Sequence, residues 1–319
     1  MALFNRSRVA LAVSAALAAG ALNPVIAHAD EVPANCTLKG YEVESGTIKW
    51  GVKQSWRHYV TGPIAQGSWT SSGAVNENGN TVANNAEGYT FNFEVDPKLS
   101  RIEGDGTTIT KAIIGTKASA VKFTGHHGAL ASQIESPYVE INGGTTKAGI
   151  NYSGYYVAGK EMASYKDSDR VPANAVSGSG YIAQGTTSTW TLNEKDLKVK
   201  ATGLLYTPQP GTDKKKHIAE GADIAFMGQY DAAQRMDDVA VELKVKKVCL
   251  DGVAEPAHPG KPTKKGKDAD TGNNTTPGDQ GQNQSSGGKV AGIIAAIVAI
   301  LAALAGVAAF FLPKIGLKF

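Results

Sequence analysis

The residues of this chain best suited to chemistry are one tyrosine and a pair of histidines. Tyr59 follows Trp56 in a short aromatic segment, and His126 and His127 lie in a Gly-His-His-Gly sequence. A phenolate oxygen is a hard anionic donor that suits ferric iron, and tyrosine is one of the residues that ligate haem iron. A hydrogen bond from a histidine favours the anionic form of a phenol, whose ordinary pKa is about 10. A tyrosine and a histidine projected into one apolar pocket would therefore suit ferric haem.

Spacing alone favours a plainer role for both groups. Tyr59 lies at helical spacing from Trp56, which is typical of a core aromatic side chain, and a glycine-flanked histidine pair is typical of an exposed turn. Neighbouring residues on an extended chain point to opposite faces, so only one of His126 and His127 can enter a given pocket. A two-histidine zinc site is therefore not predicted.

The sequence lacks the common catalytic motifs. It contains no HExxH zinc motif, no GxSxG nucleophile elbow and no P-loop. The formal net charge is +3 with no basic stripe, which argues against a nucleic-acid-binding protein. We therefore predict a binding protein rather than an enzyme. Two alternatives stay open: a structural or adhesive surface module without haem, and a secreted hydrolase whose active site is not visible in the sequence.

Alternation of apolar and polar side chains dominates the middle of the chain. Four segments have the period of half-buried antiparallel strands: 89–95, 121–124, 197–201 and 239–246. Asn-Gly and Gly-Gly turn signals occur between such segments. The sequence therefore predicts a mainly β fold of antiparallel, sandwich-like sheets with one or two short helices, plus a C-terminal transmembrane helix.

One segment of the middle region departs from the strand period. Apolar residues recur at helical spacing over 51–60, so we predict a short helix that ends at the following Gly-Pro pair. Lys53 and Arg57 fall on its other face and are expected to meet solvent. A second helix with a poor apolar face is predicted near 231–238, where Asp237 is expected to be solvated.

The two ends of the chain predict export and anchoring. Residues 1–29 have the basic, apolar and small-residue parts of a signal peptide, and residues 290–312 are uncharged and long enough to span a bilayer. Residues 253–289 have the composition of a disordered stalk, and residues 313–319 would form a short cytoplasmic tail. We therefore expect one domain, 30–252, anchored to the cytoplasmic membrane on its extracytoplasmic side and facing the cell wall.

The chain has two cysteines, Cys36 and Cys249, which bracket the expected domain. An even pair in an exported protein predicts a disulfide, whereas isolated cysteines without CxxC spacing are poor metal ligands. The sequence therefore predicts a bond that ties the two ends of the domain together.

Three segments resemble the HtaA-type haem-binding domain of actinobacterial haem uptake systems. They are WGVKQSWRHY at 50–59, FTGHHG at 123–128 and AFMGQY at 225–230, and Asp237 follows the last of them. They occur in the order typical of that family, and the resemblance runs over residues 40–249. The signal peptide, single domain, stalk and anchor are similar to those of its membrane-anchored, single-domain members.

The resemblance implies a cofactor and the residues that hold it. The residues implied to form the site are Tyr59, His126, Trp56, Phe226 and Tyr230. Tyr59 would be the axial ligand of the iron of ferric haem b, and His126 rather than His127 would support it by a hydrogen bond. The aromatic residues would pack against the porphyrin.

The resemblance also implies partners. A surface haemophore or haemoglobin would donate haem, and a membrane ABC-type haem importer would receive it. The chain departs from the usual closing segment at Gln229, where an aromatic residue is common, and at 236–238, where Met-Asp-Asp replaces Leu-Asp-Pro. These departures concern the aromatic wall of the expected pocket.

Overall fold

The computed structural model describes residues 32–265, except Asn80, Thr107, Met162 and Ala163. The predicted signal peptide, transmembrane helix and cytoplasmic tail lie outside the described residues, as does most of the predicted stalk. Within the part described, no helix is both long and apolar enough to cross a bilayer. The prediction of a mainly antiparallel β fold with few short helices is confirmed, since twelve strands form one sheet.

The described chain has one α-helix, α1 (Gln54–Thr61), which follows the first strand. The strands are β1 (Lys39–Trp50), β2 (Ser68–Gly73), β3 (Val75–Glu77), β4 (Phe91–Asp105), β5 (Thr108–Thr116), β6 (Ser119–Gly125), β7 (Leu130–Asn142), β8 (Thr145–Tyr155), β9 (Ala175–Asn193), β10 (Asp196–Tyr206), β11 (Val239–Cys249) and β12 (Lys264–Lys265). Two 3-10 turns matter for the site, His126–Gly128 and Gly221–Phe226.

The strand pairing is antiparallel throughout the described sheet and closes on itself. β1 lies between β11 and β4, and the succession of neighbours continues through β5, β7, β8, β9 and β10 back to β11. β6 pairs with β7 and carries β2, while β3 lies on β4 and β12 on β9. One continuous sheet thus takes the place of the expected sandwich-like sheets, because alternation predicts which face is buried but not which strands are neighbours.

Each predicted alternating segment buries its apolar face. Phe91, Phe93 and Val95 of β4 are buried, and the polar residues between them are half-buried. Val239 and Val241 begin the same pattern on β11. Burial of such a side chain contributes roughly 1.5–3 kcal/mol relative to its exposure, so this common face is the core that holds the sheet closed.

Helix α1 begins three residues later than predicted. Val52 has a φ of 66°, so the chain turns after β1 and the helix starts at Gln54. It ends where the sequence predicted: the N–H of Gly62 donates to the carbonyl oxygen of Tyr59, and Pro63 follows. Proline lacks the N–H that a further turn of helix would need.

The expectation that Lys53 and Arg57 meet solvent is wrong. Lys53 is 4% exposed and Arg57 is fully buried, together with Trp56 and Val60 of the predicted apolar face. The sequence pattern of a helix reveals its apolar face but not the acceptors that other segments supply. A cation can be buried where such acceptors pair with it. The partners of Arg57 belong to the candidate site.

The second predicted helix, near 231–238, does not form. Ala233 has a φ of 62°, and the backbone N–H groups of Met236 and Asp237 donate to Leu204 and Val52. These hydrogen bonds to distant segments replace the local ones that a helix requires. The poor apolar face of the segment left its backbone free for such bonds, and tertiary contacts outweigh weak helix propensity.

The first part of the predicted stalk, residues 253–265, lies against the domain. Asn151, which is fully buried, donates to the carbonyl oxygen of Pro259 at 3.2 Å and accepts from the N–H of Lys261 at 2.7 Å. Arg101 donates to the carbonyl oxygen of Val253 at 2.8 Å. Buried polar groups of the domain need partners, and the segment supplies them even though its composition is almost free of large apolar residues.

Cys36 and Cys249 form a disulfide between positions 213 residues apart. It joins the start of the domain to the end of β11, beside the β1–β11 pair. The bond therefore restricts an unusually long loop of the unfolded chain.

Replacing both cysteines by serine (C36S/C249S) is expected to lower the free energy of unfolding by about 2–5 kcal/mol, because the unfolded chain regains the freedom of that loop. Denaturant unfolding followed by circular dichroism measures the change. As the matched control, reductant should shift the wild-type midpoint to that of the variant and leave the variant unaffected. Equal midpoints for the variant and the oxidised wild type would contradict the prediction.

Candidate functional site

Tyr59 and His126 lie within hydrogen-bonding distance although 67 residues separate them. Tyr59 Oη is 2.6 Å from His126 Nε2, and both side chains are half-buried. Burial raises the pKa of the Tyr59 phenol above its ordinary value. One tautomer of the imidazole can accept the phenol proton, and the other donates to a phenolate, so this contact suits a phenol that gains and loses its proton.

His126 reaches Tyr59 because β6 ends in a tight turn. His126, His127 and Gly128 have φ angles of 50°, 50° and 99°, and the N–H of His126 donates to Ala65 at 2.6 Å. Residues other than glycine adopt this left-handed conformation infrequently. The turn presents His126 to Tyr59 and leaves His127 exposed. Only one of the two histidines thus meets Tyr59, as predicted, although the segment is a turn and not the extended chain on which the prediction was based.

The two glycines that flank the histidines accommodate protein neighbours. A Cβ atom on Gly125 would lie 3.2 Å from the carbonyl oxygen of Ala65, and one on Gly128 would lie 2.7 Å from Arg170 Nη2. Gly125 thus lets the segment after α1 approach the end of β6. Gly128 lets the turn lie directly on a guanidinium group, a contact that no sequence motif predicted.

An aromatic cluster supports Tyr59 from within the domain. The ring centroid of Trp56 lies 5.6 Å from that of Tyr59, 5.5 Å from that of Phe226 and 6.3 Å from that of Tyr230. Trp56 and Phe226 are fully buried, whereas Tyr59 and Tyr230 are half-buried. The structure therefore places Trp56 and Phe226 in the interior behind the two tyrosines, and their predicted contact with a porphyrin stays a prediction.

The two half-buried tyrosines differ in their surroundings. Burial raises the pKa of Tyr230 to about 12, and its hydroxyl accepts a hydrogen bond from Ser55 Oγ at 3.4 Å. Lys53 Nζ lies 4.4 Å from the centroid of the Tyr230 ring and donates to the carbonyl oxygen of Arg235 at 2.7 Å. Tyr230 is therefore held as a neutral phenol under a cation, whereas Tyr59 has a base beside its hydroxyl.

Arg57, expected on the surface, holds α1 in place. Its Nη1 lies 2.5 Å from Asp237 Oδ2 and also donates to the carbonyl oxygen of Gly51. Its Nε donates to Asn84 at 2.9 Å and its Nη2 to Ala86 at 2.7 Å. Every nitrogen of the guanidinium thus has an acceptor, which is the condition under which an arginine can be fully buried.

Asp237, expected to be solvated, is 14% exposed and has a second partner. Its Oδ1 accepts the N–H of Gln54, the first residue of α1, at 2.8 Å. A carboxylate at this position satisfies one of the free N–H groups of the helix and favours its positive end. The position of Asp237 just after the closing segment was the one hint in the sequence, because pairing with a residue 180 positions away leaves no local pattern.

A buried carboxylate fixes the closing segment. Asp223 is fully buried, accepts from Tyr206 Oη at 2.5 Å and from Thr212 Oγ1 at 2.6 Å, and burial raises its pKa. The Tyr206 ring lies 5.9 Å from that of Phe226. Sequence analysis missed this group, since a lone aspartate in a turn ordinarily indicates solvent exposure.

Tyr59 offers one oxygen donor to a metal, and His126 Nε2 beside it offers one nitrogen. In the part of the chain that is described, the one group of three His, Cys, Asp or Glu side chains close enough to hold an ion is Cys36, Cys249 and Asp251, and its two sulfurs form the disulfide. Tyr59 and His126 alone would therefore hold a bare ion weakly. An iron that arrives with its own equatorial ligands needs only one axial donor, so the donor set fits haem.

The sequence model of the HtaA family, described as Htaa, matches residues 45–242, more than half of the 319 residues. No curated protein matches the chain. The chain is similar to solved structures from Corynebacterium glutamicum. The C-terminal domain of HtaA is 20% identical, with 65% of this chain and 99% of that chain covered and a TM-score of 0.42. Heme binding protein HtaB is 15% identical, with 66% of this chain and 98% of that chain covered and a TM-score of 0.44.

Replacing Asp237 by alanine is expected to lower the free energy of unfolding by about 3–5 kcal/mol, because the buried Arg57 charge loses its counterion. Chemical denaturation measures this loss. Asp238→Ala is the matched control: its carboxylate lies 3.8 Å from Lys200 at the surface, and such pairs contribute about 0–1 kcal/mol. Equal stability of the two variants would show that the Arg57–Asp237 pair does not hold α1.

Proposed function

We propose that this chain, which belongs to the HtaA family, binds ferric haem b with the phenolate of Tyr59 as the axial ligand of the iron. Family membership supports haem binding and uptake as the general role, because the resemblance of the three segments is to a haem-binding domain. The observation that carries the ligand assignment is the 2.6 Å contact between Tyr59 Oη and His126 Nε2.

This contact supplies what a tyrosine ligand needs. Burial raises the pKa of Tyr59, so the free protein holds a neutral phenol near neutral pH. His126 can accept the proton that leaves as the phenolate forms, and it then donates a hydrogen bond back to the oxygen, which favours the anionic form. Bound haem would supply the ferric centre and its equatorial nitrogen donors.

The surface around Tyr59 suits a flat apolar ligand. Tyr59 and Tyr230 are half-buried and backed by Trp56, so their exposed parts are held rigidly by the cluster. Ile64 is 72% exposed and adjoins Ala65, the residue that accepts the N–H of His126. A large exposed apolar residue next to the residue that holds the His126 turn is consistent with a macrocycle that covers it on binding.

The exposure of the site also supports a relay role. Tyr59 and His126 lie at the domain surface, so another protein can reach a ligand bound there. We propose that the protein accepts haem from a surface haemophore or haemoglobin and passes it to a membrane ABC-type importer. In this proposal the apolar stretch 290–312 anchors the exported chain to the cytoplasmic membrane, and tethering increases the effective concentration of its partners.

Tyr59→Phe is expected to abolish the tyrosinate-type spectrum of the hemin complex and to weaken binding, because the ring remains and only the oxygen donor is lost. Titration of the purified protein with hemin, followed by the Soret band, measures both. Tyr230→Phe is the matched control and should keep the wild-type spectrum. No saturable Soret band in wild type would refute haem binding and leave the adhesive or hydrolytic alternatives, whereas an unchanged Tyr59→Phe spectrum would refute only the ligand.

His126→Ala is expected to weaken hemin binding by about 10–100-fold, the usual effect of removing a group that supports a metal ligand. His127→Ala changes the adjacent, exposed imidazole and should bind like wild type. Equilibrium titration of both variants provides the comparison. Equal affinities of the two variants would show that the contact with Tyr59 does not support the ligand.

A further inference from the structure

Glu77 is a half-buried carboxylate held by hydrogen bonds from neutral groups. The indole N–H of Trp69 donates to Glu77 Oε2 at 3.1 Å, and the hydroxyls of Ser71 and Tyr89 donate to its two oxygens. Burial and the neighbouring carboxylate raise the pKa of the Tyr89 phenol, so Tyr89 stays protonated and acts as a donor. The described structure pairs no lysine or arginine with Glu77. The carboxylate thus has donors but no counterion, although charges withdrawn from water are ordinarily paired.

The branching of the sheet places Glu77 in a gap between two strands. One residue, Ala74, separates β2 from β3, but β2 pairs with β6 and β3 with β4. No pairing joins β2 to β3 in the described sheet. Trp69 and Ser71 lie on one face of β2, and the side chain of Glu77 reaches them from β3. The carboxylate is therefore fixed across the gap by contacts with both of its walls.

The gap is part of a cavity of about 380 Å³, a volume within the range of small-molecule sites. Glu77 is the one charged group among its described lining residues, and Trp69 and Tyr89 supply its aromatic surface. The cation on the Tyr89 ring, Arg57, lies 5.2 Å from the ring centroid but already donates to Asp237 and three carbonyl oxygens. The cavity therefore has a net negative charge that no described side chain within it neutralises.

Trp69 presents a rigidly held ring to the same cavity. Its ring centroid lies 5.8 Å from that of Tyr89, 5.9 Å from that of Phe91 and 6.1 Å from that of Phe123. These three rings are buried, whereas Trp69 is half-buried and lines the cavity. The face of an indole attracts a cation within about 6 Å of its centre, more strongly than the face of a phenol or phenyl ring. The cavity thus combines a carboxylate with the aromatic surface that favours an organic cation.

We propose that the cavity between β2 and β3 binds a small organic cation, with its ammonium group between the Glu77 carboxylate and the Trp69 ring. The carboxylate supplies the counterion, and the ring supplies an apolar surface that still attracts positive charge. A calcium ion suits the cavity less well, because it takes six to eight oxygen ligands and Glu77 is the one carboxylate there. This site is separate from Tyr59 and does not depend on the proposed haem function.

Choline, titrated into isotope-labelled full-length protein in detergent, tests the site. The indole N–H resonance of Trp69, identified among the four tryptophans by Trp69→Phe, is expected to shift and to saturate. Dimethylbutanol, the uncharged analogue of the same shape, and sodium chloride at the same concentration should leave it unmoved. Glu77→Gln keeps an oxygen acceptor without the charge and should weaken choline binding about tenfold or more. Glu94→Gln is the matched control, because Glu94 pairs with Lys117 at the surface, and should bind like wild type.

A Trp69 resonance that choline does not shift would overturn the inference, as would equal shifts with dimethylbutanol or with sodium chloride. The first of these two would assign the effect to shape alone, and the second to simple ions. Unchanged choline affinity of Glu77→Gln would also overturn it, since the carboxylate would then not be the counterion. The resonances of the other three tryptophans establish that each variant is folded, so a loss of binding is not a loss of structure.

Discussion

The buried ion pair between Arg57 and Asp237 is the contact on which the site depends. A helix of eight residues is too short to be stable alone, so its position must come from tertiary contacts. Arg57 anchors the helix through its side chain, and Asp237 accepts the N–H of its first residue, Gln54. The pair thus joins the start of the domain to the segment that leads into its last long strand, and it sets where Tyr59 lies.

The cost of burying these charges explains the arrangement around them. Arg57 has an acceptor for each nitrogen, and Asp237 uses both carboxylate oxygens, so neither charge is left unpaired in the interior. Beside them the apolar face of α1 packs Trp56 against Phe226. The hydrogen-bonded ion pair on one side of the helix and the aromatic packing on the other leave Tyr59 little freedom, which is the preorganisation that the proposed role of Tyr59 would require.

The turn at His126–Gly128 connects two chemically different surfaces. On one side His126 meets the phenol of Tyr59, and on the other Gly128 covers the guanidinium of Arg170. Its left-handed residues are held by the closed sheet at the end of β6 and by Ala65.

The sequence by itself determined the strand faces, the end of α1, the disulfide partners and the residue types of the site, because these depend on local periodicity and on chemistry. It also indicated which histidine supports Tyr59 through a family resemblance. Only the tertiary structure decided that Arg57 is buried, that 231–238 is not a helix and that Arg170 lies under the turn. Each of these depends on partners far away in the chain, and a local pattern carries no information about which distant groups will satisfy a buried charge or a free backbone.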